Sequence, residues 1–343
     1  MARGSDRRDP APRRGAPVKD LASTLERFSA GDRRALARLI TLVENRSSAV
    51  PEVMRALYAR KGRARIVGLT GPPGAGKSTL GDRIIACLRE QGRKVGVVAV
   101  DPSSPFSGGA LLGDRVRMQA HFLDEGVFIR SLSTRGRHGG LARATREVVQ
   151  LLDAFGFDDV LVETVGVGQT ELDVMRLAHT TLVVLVPEAG DTIQVMKAGL
   201  LEIADVFIVN KADREGAGRL KNELEVMLGL RGESRWRVPV LLTEATAGKG
   251  IVEVVEQIDA HAAALHAAGG DDGSETRVRE WVEILRDEVE QRLSLVLESD
   301  DFAELARDLR EDHTDPYSAA LAVLKDPERL ARALAGKRDR SGS

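Results

Sequence analysis

One cysteine, Cys87, stands among 343 residues. An internal disulfide is therefore excluded, and a reducing, cytoplasmic setting is expected. No apolar run reaches the ~18–20 residues needed to span a bilayer. The opening stretch "MARGSDRRDPAPRRGAPVKD" has no apolar core, so no secretory signal is expected. Its arginines resemble those of a transit peptide, but Asp6 and Asp9 count against one, and residues 1–20 read as a disordered polar tail. Lys and Arg total 50 against 52 Asp and Glu, a net charge of -2. That balance argues against a protein that coats nucleic acid or a membrane surface. Six scattered histidines form no run, and no cysteine pair exists to carry a bare metal ion. His121, His138 and His179 read as surface or core residues rather than ligands. There is no internal repeat.

Hydrophobic residues make up 43% of the chain, ordinary for a globular protein with a sizeable core. Residues 21–62 read as a helical extension. After Asp32, an N-cap candidate, Leu36, Leu39, Ile40 and Val43 fall at i, i+3, i+4 and i+7, so one face must pack on something. From residue 63 the pattern changes to short apolar runs: "RIVGLT", "VGVVAVD", "VFIRSL", "DVLVET", "TLVVLVP", "VFIVNKAD" and "VPVLLTE". Several lack polar alternation, as strands buried on both faces do. Most of the gaps can hold a helix. The expected fold over 63–268 is α/β, a mostly parallel sheet flanked by helices, with ligand loops at the C-terminal strand ends. "AAGGDDGSE" near residue 270 reads as a linker. Beyond it Val278, Trp281, Val282, Leu285 and Val289 make one helical stripe, and a C-terminal helical arm is expected over 275–335, followed by a disordered tail at 336–343.

The strongest motif is "GPPGAGKST" directly after the first strand. Gly71, Pro72, Pro73, Gly74, Ala75, Gly76, Lys77, Ser78 and Thr79 follow phosphate-loop spacing. The glycines let the backbone curl so that N–H groups face phosphates, and the helix N-terminus that follows adds positive potential. Lys77 is expected at the β- and γ-phosphates and Ser78 on Mg²⁺. "NKAD" ends a later strand. Asp213 matches the N1 and N2 donors of guanine, which adenine lacks, while Asn210 and Lys211 brace the loop and flank the ring. The expected ligands are GTP and GDP. "TEATAGKG" falls where a second guanine-contacting loop belongs, with Ala245 the candidate there.

"LVETVGVGQ" puts Glu163 at the strand end where nucleotide hydrolases usually carry aspartate. Gly166, three residues on, can offer its N–H to a γ-phosphate. Asp101 ends the second strand, and Asp114 follows a Ser- and Gly-rich loop. Glu163, Asp101 and Asp114 are expected to share the metal and the attacking water. Val167 occupies the place of the glutamine that orients water in small signalling GTPases. Slow intrinsic hydrolysis, accelerated by a partner, is the physical expectation.

Taken in order, "GPPGAGKST", "VDPSSPFSGGALLGDRVRM", "ETVGVGQTE", "GDTIQVMKAG" and "NKAD" resemble the MeaB-type GTPases, the methylmalonyl-CoA mutase-associated proteins. An older label for that family is arginine/ornithine transport-system ATPase or kinase. The resemblance runs over about residues 20 to 335 and includes "RRALARLITLVENR" and "DPYSAA". It implies a metallochaperone-like GTPase that protects and reloads an adenosylcobalamin-dependent acyl-CoA mutase, with a cobalamin adenosyltransferase as a further candidate partner. It also implies a homodimer through the C-terminal arm, and a relay to the mutase through Asp191, Gln194 and Lys197. Glu188 departs from the family pattern, where glycine is expected. Two other classes compete. A nickel-inserting GTPase lacks its metal-carrying device here, and for a transport kinase no phospho-acceptor motif is visible.

Overall fold

The computed structural model describes residues 20–58, 60, 62–101, 121–133, 140–164, 166, 172, 174–187, 199–230, 235–268, 302–328 and 330–331, and positions between 278 and 293. Two compact units divide the chain, Met1–Ala268 and Gly269–Ser343. Among the described residues no helix is long and apolar enough to cross a membrane.

The seven apolar runs form seven strands: β1 (Arg65–Thr70), β2 (Val95–Asp101), β3 (Val127–Ser133), β4 (Asp159–Thr164), β5 (Thr180–Leu185), β6 (Val206–Asn210) and β7 (Val240–Thr243). They make one sheet in the order β3-β2-β4-β1-β5-β6-β7, with every neighbouring pair parallel. Successive side chains point to opposite faces, so each buried strand feeds two cores. Leu161 on β4 joins Val67, Leu69, Leu182 and Val184 on one face, covered by α4 (Lys77–Glu90) and α8 (Ile251–Ala267). Val160 and Val162 turn to the other face, covered by α5 (Gly140–Phe155). Further along that sheet, Val183, Leu185, Phe207 and Val209 pack with Leu220 and Leu224 of α7 (Ala217–Gly229), beside the short α6 (Leu200–Ile203).

The N-terminal stretch forms three helices: α1 (Leu21–Ser29), α2 (Arg33–Glu44) and α3 (Val50–Tyr58). Asp32 caps α2 by accepting the Arg34 N–H at 2.8 Å. Leu36, Leu39, Ile40 and Val43 are fully buried in the core that contains Val148, Leu151 and Leu152 of α5. Phe28 adds an aromatic contact with Phe155, centroids 5.3 Å apart. Arg33 donates to the carbonyls of Glu125 (2.8 Å) and Val127, and Arg130 of β3 pairs with Glu44. Side chains of α2 thus reach β3, the edge strand of the sheet.

In the second unit the described positions between 278 and 293 are helical. α9 (Ala303–Arg310) and α10 (Pro316–Lys325) follow, the latter capped by Asp315, which accepts the N–H groups of Tyr317 and Ser318 at 2.9 Å each. Proline at the first position of α10 suits a helix start, where its missing N–H is not needed.

Candidate functional site

Strand β1 lies between β4 and β5, and the chain crosses from one side of it to the other, so a crevice is expected at these C-terminal strand ends. The phosphate loop leaves β1 there. Gly71 has φ +147°, and a Cβ on it would sit 2.1 Å from the Val184 carbonyl oxygen. Gly76 has φ +87°, and a Cβ would meet Asn210 Nδ2 at 2.5 Å. Both positions therefore demand glycine. Lys77, buried, donates from Nζ to the carbonyls of Gly71 (2.7 Å) and Pro72 (3.0 Å). Ala75 is buried in the core beneath the loop, whereas Pro73, Gly74 and Thr79 are exposed.

Ser78, in the first turn of α4, donates to Glu163 Oε1 at 2.7 Å. Glu163 is buried near the end of β4. A hydroxyl and a carboxylate in contact, one turn from the phosphate loop, are the hard oxygen donors that Mg²⁺ takes. The pair fits that ion. Asp101 is the last residue of β2, beside β4, with Ala99 opposite Glu163 and Val100 opposite Thr164. Its backbone thus ends at the same edge, while its side chain lies outside the described residues. So do Asp114, Asp191, Gln194 and Lys197 entirely, with His138, Val167 and Glu188.

Gly166 is held by two residues that the motif reading passed over. Thr70, the last residue of β1, donates to the Gly166 carbonyl at 3.1 Å. Thr164, the last of β4, lies 3.0 Å from Thr70 Oγ1 and 3.2 Å from the same carbonyl. Both threonines are fully buried. The available signal was a hydroxyl closing an otherwise apolar strand run.

The base-side loops converge on Asn210. Its Nδ2 donates to the Ala75 carbonyl at 2.9 Å, while its Oδ1 accepts from Thr243 Oγ1 (3.0 Å) and the Ala245 N–H (3.2 Å). One buried amide therefore ties the phosphate loop to the turn at Ala245–Ala247. The Ala245 N–H, on the candidate second base loop, is thus bonded to Asn210. Arg83 of α4 braces the turn from the other side, donating to the carbonyls of Ala245 (3.2 Å) and Thr246 (3.1 Å). Lys211 adopts φ +58°, turning the chain sharply after β6, and Asp213 is exposed on that turn. His121 reaches the Asp82 carbonyl at 3.2 Å, and His179 Nδ1 accepts the Ile66 N–H at 3.2 Å. Both rings serve local structure.

The family profile described as "Methylmalonyl Co-A mutase-associated GTPase MeaB" matches residues 36–297. A Pyrococcus abyssi protein that is classed by name among GTPases is 48% identical over 308 residues, 88% of this chain and 95% of that one. "GTPase ArgK" of Escherichia coli is 36% identical over 292 residues, 82% and 88% of the two chains. Among solved structures, one called an LAO/AO transport system kinase superposes with a TM-score of 0.65 at 27% identity, covering 94% of this chain and 99% of its own. The parallel seven-stranded fold, the phosphate loop and these matches place the chain in the MeaB family of methylmalonyl-CoA mutase-associated GTPases.

Proposed function

We propose that this GTPase is a nucleotide-driven switch that protects and reloads an adenosylcobalamin-dependent acyl-CoA mutase, methylmalonyl-CoA mutase being the first candidate. The nucleotide switch is supported most by the Ser78–Glu163 contact at 2.7 Å next to the phosphate loop, which joins the nucleotide end of α4 to the end of β4, and the mutase partner by the family match. Lys77 and the loop amides hold the phosphates. Ser78 and Glu163, with Asp101 and Asp114, are the residues that would hold Mg²⁺, which when bound neutralises developing phosphate charge. Asp213 selects guanine, and Asn210 couples its loop to the phosphates. With Val167 in place of a water-orienting glutamine, the attacking water is poorly held and turnover alone is slow. Partner binding orders the site, and Asp191, Gln194 and Lys197 relay the nucleotide state. A cobalamin adenosyltransferase is the further partner in this cycle. Val278, Trp281, Val282, Leu285 and Val289 are exposed, which supports a homodimer formed by the C-terminal arm.

A ligand shifts an equilibrium only through differential affinity, so a switch must bind its partner differently with GDP and with GTP. The test is co-purification of an adenosylcobalamin-dependent acyl-CoA mutase with the tagged protein. It is run in GDP and in a non-hydrolysable GTP analogue. Nucleotide-dependent recovery is expected, and equal or absent recovery in both states would contradict the reading.

A further inference from the structure

We infer that Thr70 and Thr164 are positioning residues for the γ-phosphate sensor, Gly166. This inference rests on the proposed nucleotide switch and names part of how it is set. Glycine has the widest backbone freedom of any residue, so a glycine sensor must be oriented by something other than its own side chain. Here the Gly166 carbonyl is fastened to the sheet. Thr70 donates to it at 3.1 Å from the end of β1, the strand that leads into the phosphate loop. Thr164 donates to Thr70 Oγ1 at 3.0 Å, with the Gly166 carbonyl at 3.2 Å as its alternative acceptor. Both hydroxyls are sealed from solvent, so water cannot replace either of them.

The arrangement joins three parts of the site. Thr70 immediately precedes Gly71 of the phosphate loop, and Thr164 immediately follows Glu163, the partner of Ser78. The two strands are adjacent and parallel, with Leu69 opposite Glu163. Tying Gly166 to both strand ends fixes it relative to the phosphate loop and to Glu163 together. Preorganised dipoles stabilise developing charge most when they need not reorient during reaction. The hydroxyls should therefore matter when a γ-phosphate is present and be nearly silent toward GDP.

The experiment compares the full chain with Thr70→Val, Thr164→Val and Thr70→Ser. Affinity for GDP and for a non-hydrolysable GTP analogue is measured by calorimetry, and kcat by phosphate release at saturating GTP. Valine keeps the shape and suits a strand, while serine keeps the hydroxyl. Thr70→Val should lower kcat and analogue affinity about fivefold or more, the worth of one buried neutral hydrogen bond, with GDP affinity within about twofold. Thr164→Val should do the same more weakly, since Thr70 still reaches the carbonyl. Thr70→Ser should stand close to the parent. Unchanged kcat and analogue affinity in both valine variants would overturn the inference. So would equal loss for GDP and the analogue, because the hydroxyls would then hold the fold rather than the sensor. A parent protein that failed to hydrolyse GTP would instead overturn the switch reading itself.

Discussion

Asn210 ties the site together, because its three polar contacts reach two different loops. Asn210→Ala removes all three and leaves buried groups of Ala75, Thr243 and Ala245 without that partner. At ~1 kcal/mol per hydrogen bond, GDP affinity should fall by about 100-fold, a loss that titration calorimetry reads directly. Glu163→Gln keeps the size of the side chain and removes its charge. If Glu163 helps to hold Mg²⁺, the concentration needed for half-maximal hydrolysis should rise about tenfold, with Mg²⁺-free GDP affinity nearly unchanged. An unchanged metal dependence would remove Glu163 from the metal site. Lys77, Ser78 and the glycines are legible in sequence because backbone curvature and phosphate charge dictate their spacing. Thr70, Thr164 and Arg83 are not legible by spacing, and a hydroxyl closing an apolar strand names no partner. Their value lies in what the fold brings beside them.

The strands were readable for a plain physical reason. The central ones, buried on both faces, appear as apolar runs, and all seven runs occur in the sheet. Their order was not readable. The insertion of β4 between β1 and β2 is decided by which helix faces fit together, and no local pattern encodes it. The α2 stripe announced a buried face, yet not its position beside α5 and the β3 edge, which depends on contacts far apart in sequence. Leu39 is fully buried there, so Leu39→Ala should destabilise the protein by about 2–5 kcal/mol in denaturant titration. The Arg27 guanidinium and the Arg34 N–H hold the Asp32 carboxyl below its ordinary value of 3.8. A depressed folded-state pKa stabilises fully above the unfolded value and fades as pH falls through the folded one. The Tm difference between the parent and Asp32→Asn should therefore shrink as pH drops below about 3.8, in scans by circular dichroism. A difference that stays constant across that range would mean the charge contributes nothing.

The chain carries a net charge of -2, and among the described residues no helix is long and apolar enough to cross a membrane. The family description is the ground for the proposed partner class, while the site explains what nucleotide could do there. Lys77, Ser78, Glu163 and Gly166 gather at the ends of β1 and β4, so loss of a γ-phosphate would be felt by the sheet edge and by the loops that leave it. The proposed coupling links this nucleotide state to an adenosylcobalamin-dependent acyl-CoA mutase. Its most direct test is the steady-state rate of GTP hydrolysis with and without that mutase, for the parent and for Lys197→Ala. Stimulation of about tenfold or more is expected, equivalent to ~1.4 kcal/mol of barrier, with its loss in Lys197→Ala and GDP affinity retained. An identical rate with and without the mutase would contradict the coupling, and full stimulation of Lys197→Ala would contradict the relay through that residue.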